Sequence, residues 1–252
     1  MMIRNKKENN LSDYTSLKLI FLLFGSIMLW YFTAKNQANI LWFIVIGVLS
    51  VLYIVKNKNI EKTDILIGVI LGLISMPSNF IMGLFTVIAY IGAVSVFKCS
   101  ENKIILYKRS NNVFVSLMFI LVVGGVMGAI NLLLYLTSGS INFSIKPQWF
   151  LDAFRAGITE EVMFRFFFFA VCIRVIKDKK LSNFQNCICY LIMVIPHVLI
   201  HFNTNTFNIT TMVILSLLFG LPFAIMQRKR DLSSAIGCHM LVDLIRFCLT
   251  GA

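Results

Sequence analysis

The chain has 252 residues, of which 58% are hydrophobic and 13% charged. A soluble domain carries about a quarter charged residues, so this composition excludes an ordinary globular enzyme and points to a polytopic membrane protein. The net charge of +12 raises nucleic acid as a partner, and its distribution along the chain decides against one.

The start, MMIRNKKENNLSDYTSLK, is basic and polar. The apolar run behind it is long and lacks a small-residue cleavage site, so it reads as a first span rather than a removable signal. A span needs about 20 mostly apolar residues. Candidate segments are 17–34, 40–55, 64–76, 80–97, 113–137, 150–176, 184–203, 208–226 and 232–250. The pair 64–76 and 80–97 is broken by SMPSN and reads as two spans or one kinked hairpin. The expected fold is therefore an all-α, polytopic helical bundle of seven to nine spans.

The basic residues test this layout. Arg4, Lys6 and Lys7 precede the first span; Lys56, Lys58 and Lys62 follow the second; Lys98, Lys103, Lys108 and Arg109 follow the fourth. Arg174, Lys177, Lys179 and Lys180 follow the sixth, and Arg228, Lys229 and Arg230 the eighth. The opposite loops hold only Lys35 and Lys146. This alternation predicts a multi-pass protein of the cell membrane with its N-terminus in the cytoplasm. The basic charge is then topological, the partners are the bilayer and what lies in it, and no nucleic acid is implied.

Two GxxxG spacings, Gly68–Gly72 and Gly124–Gly128, permit close helix contacts. The six cysteines include no CxxC pair and lie mostly in apolar runs, so they read as small buried hydrophobes. Residues 1–147 contain almost no ionisable group inside a span and no histidine; all three histidines fall in 197–239.

The chemistry is concentrated in three turn-spaced pairs. ITEEVMFRFFFF holds Glu160, Glu161 and Arg165; Glu161 and Arg165 share a helix face and can pair, while Glu160 points about 100° away. A lone pair would be explained by a salt bridge that pins the helix. The second carboxylate is harder to explain that way, because it lacks a compensating charge. PHVLIHF places His197 and His201 four residues apart, a spacing that suits either a metal or a packed histidine, although no HExxH is present. SSAIGCHMLVDL gives His239 and Asp243, where the carboxylate can fix the imidazole tautomer or form a polar clasp. Ionisable groups within spans face the bundle interior or a water-filled cavity. Together these pairs predict a polar catalytic cavity between the C-terminal helices, able to activate water.

Taken in order, Glu160-Glu161-x-x-x-Arg165, a histidine at the end of the following span and His239-x-x-x-Asp243 resemble the three motifs of the CPBP family, also called the CAAX protease and bacteriocin-processing, or Abi, family of intramembrane proteases. The resemblance covers about residues 150–250 and implies a catalytic core at 148–252 behind variable N-terminal transmembrane helices at 1–147. Two departures stand out. His197 occupies the phenylalanine position of the family's FxxxH motif, which leaves His201 as the functional histidine. Asp243 stands where Asn is frequent, and an ionised acid cannot donate a hydrogen bond.

The resemblance implies an endopeptidase acting on membrane-associated peptides or proteins. Abundant Lys, Asn and Ile point to a bacterial source, and thus to peptide-signal maturation, bacteriocin immunity or surface-protein processing. In the expected mechanism Glu160, assisted by His201, deprotonates water; His239 and Asp243 steady the oxyanion; and Glu161 with Arg165 holds the site in shape. No cofactor is required in this reading. Zinc on Glu160, His201 and His239 is the other one. By ideal helix rise, His239 lies nearer the cytoplasmic side than Glu160, so convergence is expected to need an unwound or deeply placed stretch at Ser233–Gly237. The competing function is a non-catalytic scaffold or immunity factor that binds a partner.

Overall fold

The computed structural model describes residues 2–108, 112–137, 139–177 and 180–251, with side chains from Tyr14 onward. Of the basic loop residues named above, Arg109 and Lys179 lie outside the described residues, as do the side chains of Arg4, Lys6 and Lys7.

Nine continuous helices account for the described fold, and no strand occurs among the described residues. They are α1 (Met2–Asn36), α2 (Ile40–Asn57), α3 (Lys62–Ser75), α4 (Phe80–Phe97), α5 (Val113–Leu136), α6 (147–176), α7 (Asn183–Leu199), α8 (Ile209–Lys229) and α9 (Leu232–Thr250). Three of them contain a π-helical segment: Ile120–Gly124 in α5, Glu161–Phe166 in α6 and Ser216–Gly220 in α8.

Six helices are long and apolar enough to cross a membrane: α1 from Tyr14, α2, α4, α5, α8 and α9. The other three of the nine helices differ from these for two physical reasons. At 14 and 17 residues, α3 and α7 rise only about 21 and 26 Å, short of the roughly 30 Å hydrocarbon core. α6 is long enough but carries Arg155, Glu160, Glu161 and Arg165 along one stretch.

α6 is the axis of the bundle, with α1, α3, α4, α7, α8 and α9 packed around it. Its sequence explains this. From Val162 to Ile173 it offers no polar face apart from Arg165, and a helix that is apolar all round must be buried. Its phenylalanines interlock with aromatic rings from the N-terminal helices. Phe166 stacks on Tyr90 at 5.5 Å and meets Phe97 edge-on at 4.9 Å, while Phe164 meets Trp42 at 5.8 Å. The outer helices show the reverse pattern, with Phe21, Leu66, Phe80, Phe114 and Leu133 on the outside, as expected for surfaces that face lipid.

SMPSN does break the chain, and Asn79 caps the next helix by accepting from the Met82 N–H at 3.0 Å. α3 and α4 then form a tight hairpin. A side chain on Gly72 would collide with Val87 and with the Gly83 carbonyl. The second glycine pair works the same way: a Cβ on Gly124 would lie 3.2 Å from the Cys238 Cα, and Gly128 faces Ile245. Both GxxxG spacings therefore mark close helix crossings, α3 on α4 and α5 on α9. All six cysteines are free; Cys172, Cys189 and Cys238 are buried, whereas Cys187 is exposed.

α9 is pinned at both ends by loops. At its start the Leu232 and Ser233 N–H groups donate to the carbonyls of Ile105 and Leu106 at 3.0 and 2.9 Å, and Asp231 caps the helix by accepting from the Ser234 N–H at 2.8 Å. At its end the N–H groups of Asn142 and Ser144 donate to the carbonyls of Leu249 and Cys248, both at 2.9 Å. These bonds satisfy groups that a helix terminus otherwise leaves without partners. They also fix the axial position of the helix that carries His239.

Candidate active site

Of the two expected routes to convergence, unwinding or deep placement of Ser233–Gly237, the structure has the second: the stretch is regular helix. The break lies just before it, at Arg230–Asp231. Asp231 and Leu232 are fully buried, so the whole start of α9 is sunk into the protein. His239 is thus carried to the depth of Glu160 without any rupture of the helix.

Glu160 and Glu161 sit where α6 changes from α-helical to π-helical turns, a local widening frequent at functional sites. Glu160 lines a cavity of about 520 Å³ together with Arg165, His197, His201, His239 and Asp243. α4 and α5 contribute Met82 and Asn131 to the wall. Glu161 turns the other way and is wholly buried, as is Arg165.

Glu161 is the most heavily bonded carboxylate here. Arg165 pairs with its Oε1, one turn along the helix. His239 Nδ1 lies 2.7 Å from the same oxygen. Gln227 Nε2, from α8, donates to Oε2 at 2.6 Å and to the Glu161 carbonyl at 3.0 Å. A carboxylate held by a guanidinium accepts, so the His239 proton on this side sits on Nδ1. The expected tautomer-fixing acid was Asp243. Its Oδ2 lies 3.6 Å from His239 Nε2, beyond hydrogen-bond range. Placed one turn along the same helix, Asp243 reaches only the Nε2 side of the ring, whereas Glu161 from α6 faces Nδ1.

Glu160 is met by three histidines. His197 Nε2 lies 2.9 Å from its Oε2, His239 Nε2 3.7 Å and His201 Nε2 3.8 Å. Arg165 Nη2 lies 2.8 Å from His197 Nδ1. A guanidinium can only donate, so Nδ1 accepts and the ring proton sits on Nε2, donated to Glu160. One arginine therefore orders both glutamates, Glu161 directly and Glu160 through His197. His201, the histidine favoured from the motif, lies just past the end of α7 and is 48% exposed on its side chain. His197, at the motif's phenylalanine position, is the closer and buried partner.

Glu160, His197 and His201 present ligand atoms within 4.8 Å of one another. His197 fits a cation poorly, because its Nε2 carries the proton and an arginine abuts its other nitrogen. His201 and His239 both turn Nε2 toward Glu160. The Nδ1–H of His239 rests on a carboxylate, the outer contact that commonly supports a metal-bound histidine. That trio has the donors zinc takes.

Sequence reasoning missed Gln227 and Phe223. Gln227 sits beside Arg228-Lys229-Arg230 and so reads as the start of a basic loop. Phe223 stacks flat on the His239 ring, with centroids 4.8 Å apart and planes 12° from parallel. Among the many apolar residues of α8, nothing marks it out.

Residues 142–245 match the family model "Type II CAAX prenyl endopeptidase Rce1-like". This segment, less than half of the chain, is thus similar to the CPBP family. The match begins just before α6 and ends within α9, so it contains every polar side chain that converges on Glu160 and Glu161, and it leaves residues 1–141 outside. No curated protein and no solved structure matches the chain. The family is one of membrane proteases, and the chain's six apolar helices accord with a multi-pass membrane protein.

Proposed function

We propose that this protein is an intramembrane endopeptidase that hydrolyses peptide bonds of membrane-associated peptides or proteins with water activated by Glu160. The observation that supports it most is the meeting of Glu160, His197, His201 and His239 from α6, the α7 end and α9 at one cavity.

A water on the cavity side of Glu160 Oε2 is within reach of His239 Nε2 and His201 Nε2. Glu160 takes its proton as the oxygen attacks the scissile carbonyl, and returns that proton to the leaving amide nitrogen. His197 donates its Nε2–H to Glu160 and holds the carboxylate in register, with Arg165 fixing the tautomer. His239, backed by Glu161 and Phe223, presents Nε2 to the cavity. As an imidazolium it donates to the tetrahedral oxyanion. Asp243 Oδ2 lies 3.6 Å from that nitrogen, on the cavity side of the ring. Should zinc bind, Glu160, His201 and His239 are the residues that would hold it, and the ion would supply an acidified water. The steps above need only the protein's own groups.

The N-terminus is cytoplasmic in this reading, and a bacterial role in peptide-signal maturation, bacteriocin immunity or surface-protein processing fits it best. The test is membrane proteomics of cells carrying wild type, Glu160→Gln or His239→Ala at matched protein level. One membrane peptide or protein is expected to accumulate uncut in both variants. If the cellular phenotype survives both substitutions and no precursor accumulates, the protein acts by binding a partner, as a scaffold or immunity factor would.

A further inference from the structure

A second cavity, of about 530 Å³, opens between α5 and α8, away from the glutamates. Phe119, Pro222, Ile225 and Met226 form its apolar wall, and Lys108, Lys229 and Arg230 stand around it. The three cations do different work. Arg230 is already tied into the fold: its Nε donates to Ser234 Oγ at 2.9 Å, its Nη2 donates to Ser116 Oγ at 3.1 Å, and its guanidinium lies 4.2 Å from the centroid of the Phe119 ring. Lys108 and Lys229 are exposed, and neither ammonium forms a salt bridge among the described residues. The nearby carboxylate, Asp231, is buried and turned inward, accepting from the Ser234 and Lys108 N–H groups and the Ser233 hydroxyl. It does not face the groove.

We propose that this groove binds a phospholipid with an anionic headgroup, its phosphate between Lys108 and Lys229 and an acyl chain along Phe119, Pro222 and Ile225. Two observations carry the assignment. The charge at the mouth is of one sign and complementary to a phosphate. The wall below it is apolar and continuous with the outward faces of α5 and α8, where Phe114, Leu117, Leu218 and Ile225 are exposed. A free anion would use the cations and gain nothing from that wall; a neutral lipid would use the wall and leave both ammonium groups without partners. Basic pockets between helices at the cytoplasmic face are suited to anionic headgroups, and all three cations lie in the loops read above as cytoplasmic. The site also adjoins the candidate active site through α8, which turns Phe223 and Gln227 inward on the stretch that presents Pro222, Ile225 and Lys229 to the groove.

The test is native mass spectrometry of the full-length protein released from detergent, titrated separately with phosphatidylglycerol and phosphatidylcholine. Phosphatidylglycerol is expected to be retained preferentially. Lys108→Gln with Lys229→Gln should cut that retention by roughly 25-fold, about fivefold for each lysine near an anionic group, and leave phosphatidylcholine unchanged. Lys56→Gln with Lys62→Gln removes the same charge elsewhere and should leave both unchanged. Phe119→Ala should weaken phosphatidylglycerol without restoring any preference for the neutral lipid. Circular dichroism verifies that each variant keeps its helix content. Equal retention of the two lipids by the wild type overturns the proposal, as does equal loss in the two double variants. Full displacement of phosphatidylglycerol by millimolar inorganic phosphate overturns it too, since the ligand would then be a free anion.

Discussion

Replacing His197 with phenylalanine separates the structure from the motif. Phenylalanine is the residue the family's second motif has at this position, so motif reasoning expects His197→Phe to be harmless. The structure says otherwise. His197 accepts from Arg165 at 2.8 Å and donates to Glu160 at 2.9 Å, and the residue is 5% exposed. A hydrogen bond to a charged group is worth about 1.5–3 kcal/mol. Losing both strips a donor from Glu160 and an acceptor from a fully buried guanidinium, for a total of about 3–6 kcal/mol, divided between folding stability and the positioning of Glu160. Misplacing a reacting group by an ångström costs on the order of 100-fold in rate. The assay pairs thermal melting in detergent with the amount of uncut membrane substrate in cells. His197→Phe should melt well below wild type and leave the substrate uncut, whereas His201→Ala, at an exposed position, should shift stability by no more than about 0.5 kcal/mol. A His197→Phe protein with wild-type melting and wild-type processing would refute the claim that this bridge organises the site.

Three further perturbations test other parts of the argument. Gln227→Met keeps the side-chain volume but removes two donors from Glu161; a loss of about 1.5–3 kcal/mol is expected by melting, together with weakened processing, and unchanged values for both would mean Gln227 only fills space. Gly92→Val places a Cβ 2.7–2.8 Å from the Ser50 Cβ and Cα and should cost about 1–3 kcal/mol by overpacking α2 on α4, whereas Gly25→Val, with open space around it, should be mild. Asp231→Ala should cost about 1–2 kcal/mol through loss of the α9 cap and lower processing by loosening His239. The same cap gives a pH signature. Burial pushes the Asp231 carboxyl up, but hydrogen bonds from Ser234, Ser233 and the Lys108 N–H outweigh it and hold it below the usual range. A lowered folded value means the stabilisation is fully present above the unfolded value near 3.9 and is lost as pH falls through the folded one. Melting curves of wild type and Asp231→Ala should therefore run parallel from neutral pH to about 4 and converge below it.

Some of the molecule was readable from one dimension. The apolar runs placed nine helices, because a backbone in lipid must satisfy its own hydrogen bonds and a run of the right length leaves helix as the choice. Both GxxxG spacings fell on real crossings, because only glycine lets backbones approach that closely. The four-residue spacing of Glu161 and Arg165 sufficed to pair them, since one turn of helix brings them together wherever the helix lies. The count of apolar spans was less readable, because α6 is long enough to cross but too charged, and its ionised groups depend on neighbours that spacing does not name.

The partners across helices were decided by tertiary structure alone. Sequence put Asp243 with His239 and gave the active role to His201; packing put Glu161 on His239 and His197 on Glu160. The difference is physical. Spacing along one helix determines what shares a face, but which nitrogen of a histidine meets which carboxylate depends on the depth and rotation of two helices relative to each other. Here the buried start of α9, the π-helical turn of α6 and the loops that cap α9 at both ends set that register. Gln227 and Phe223 carry no local signal at all, because their roles exist only once α8 lies against α6 and α9.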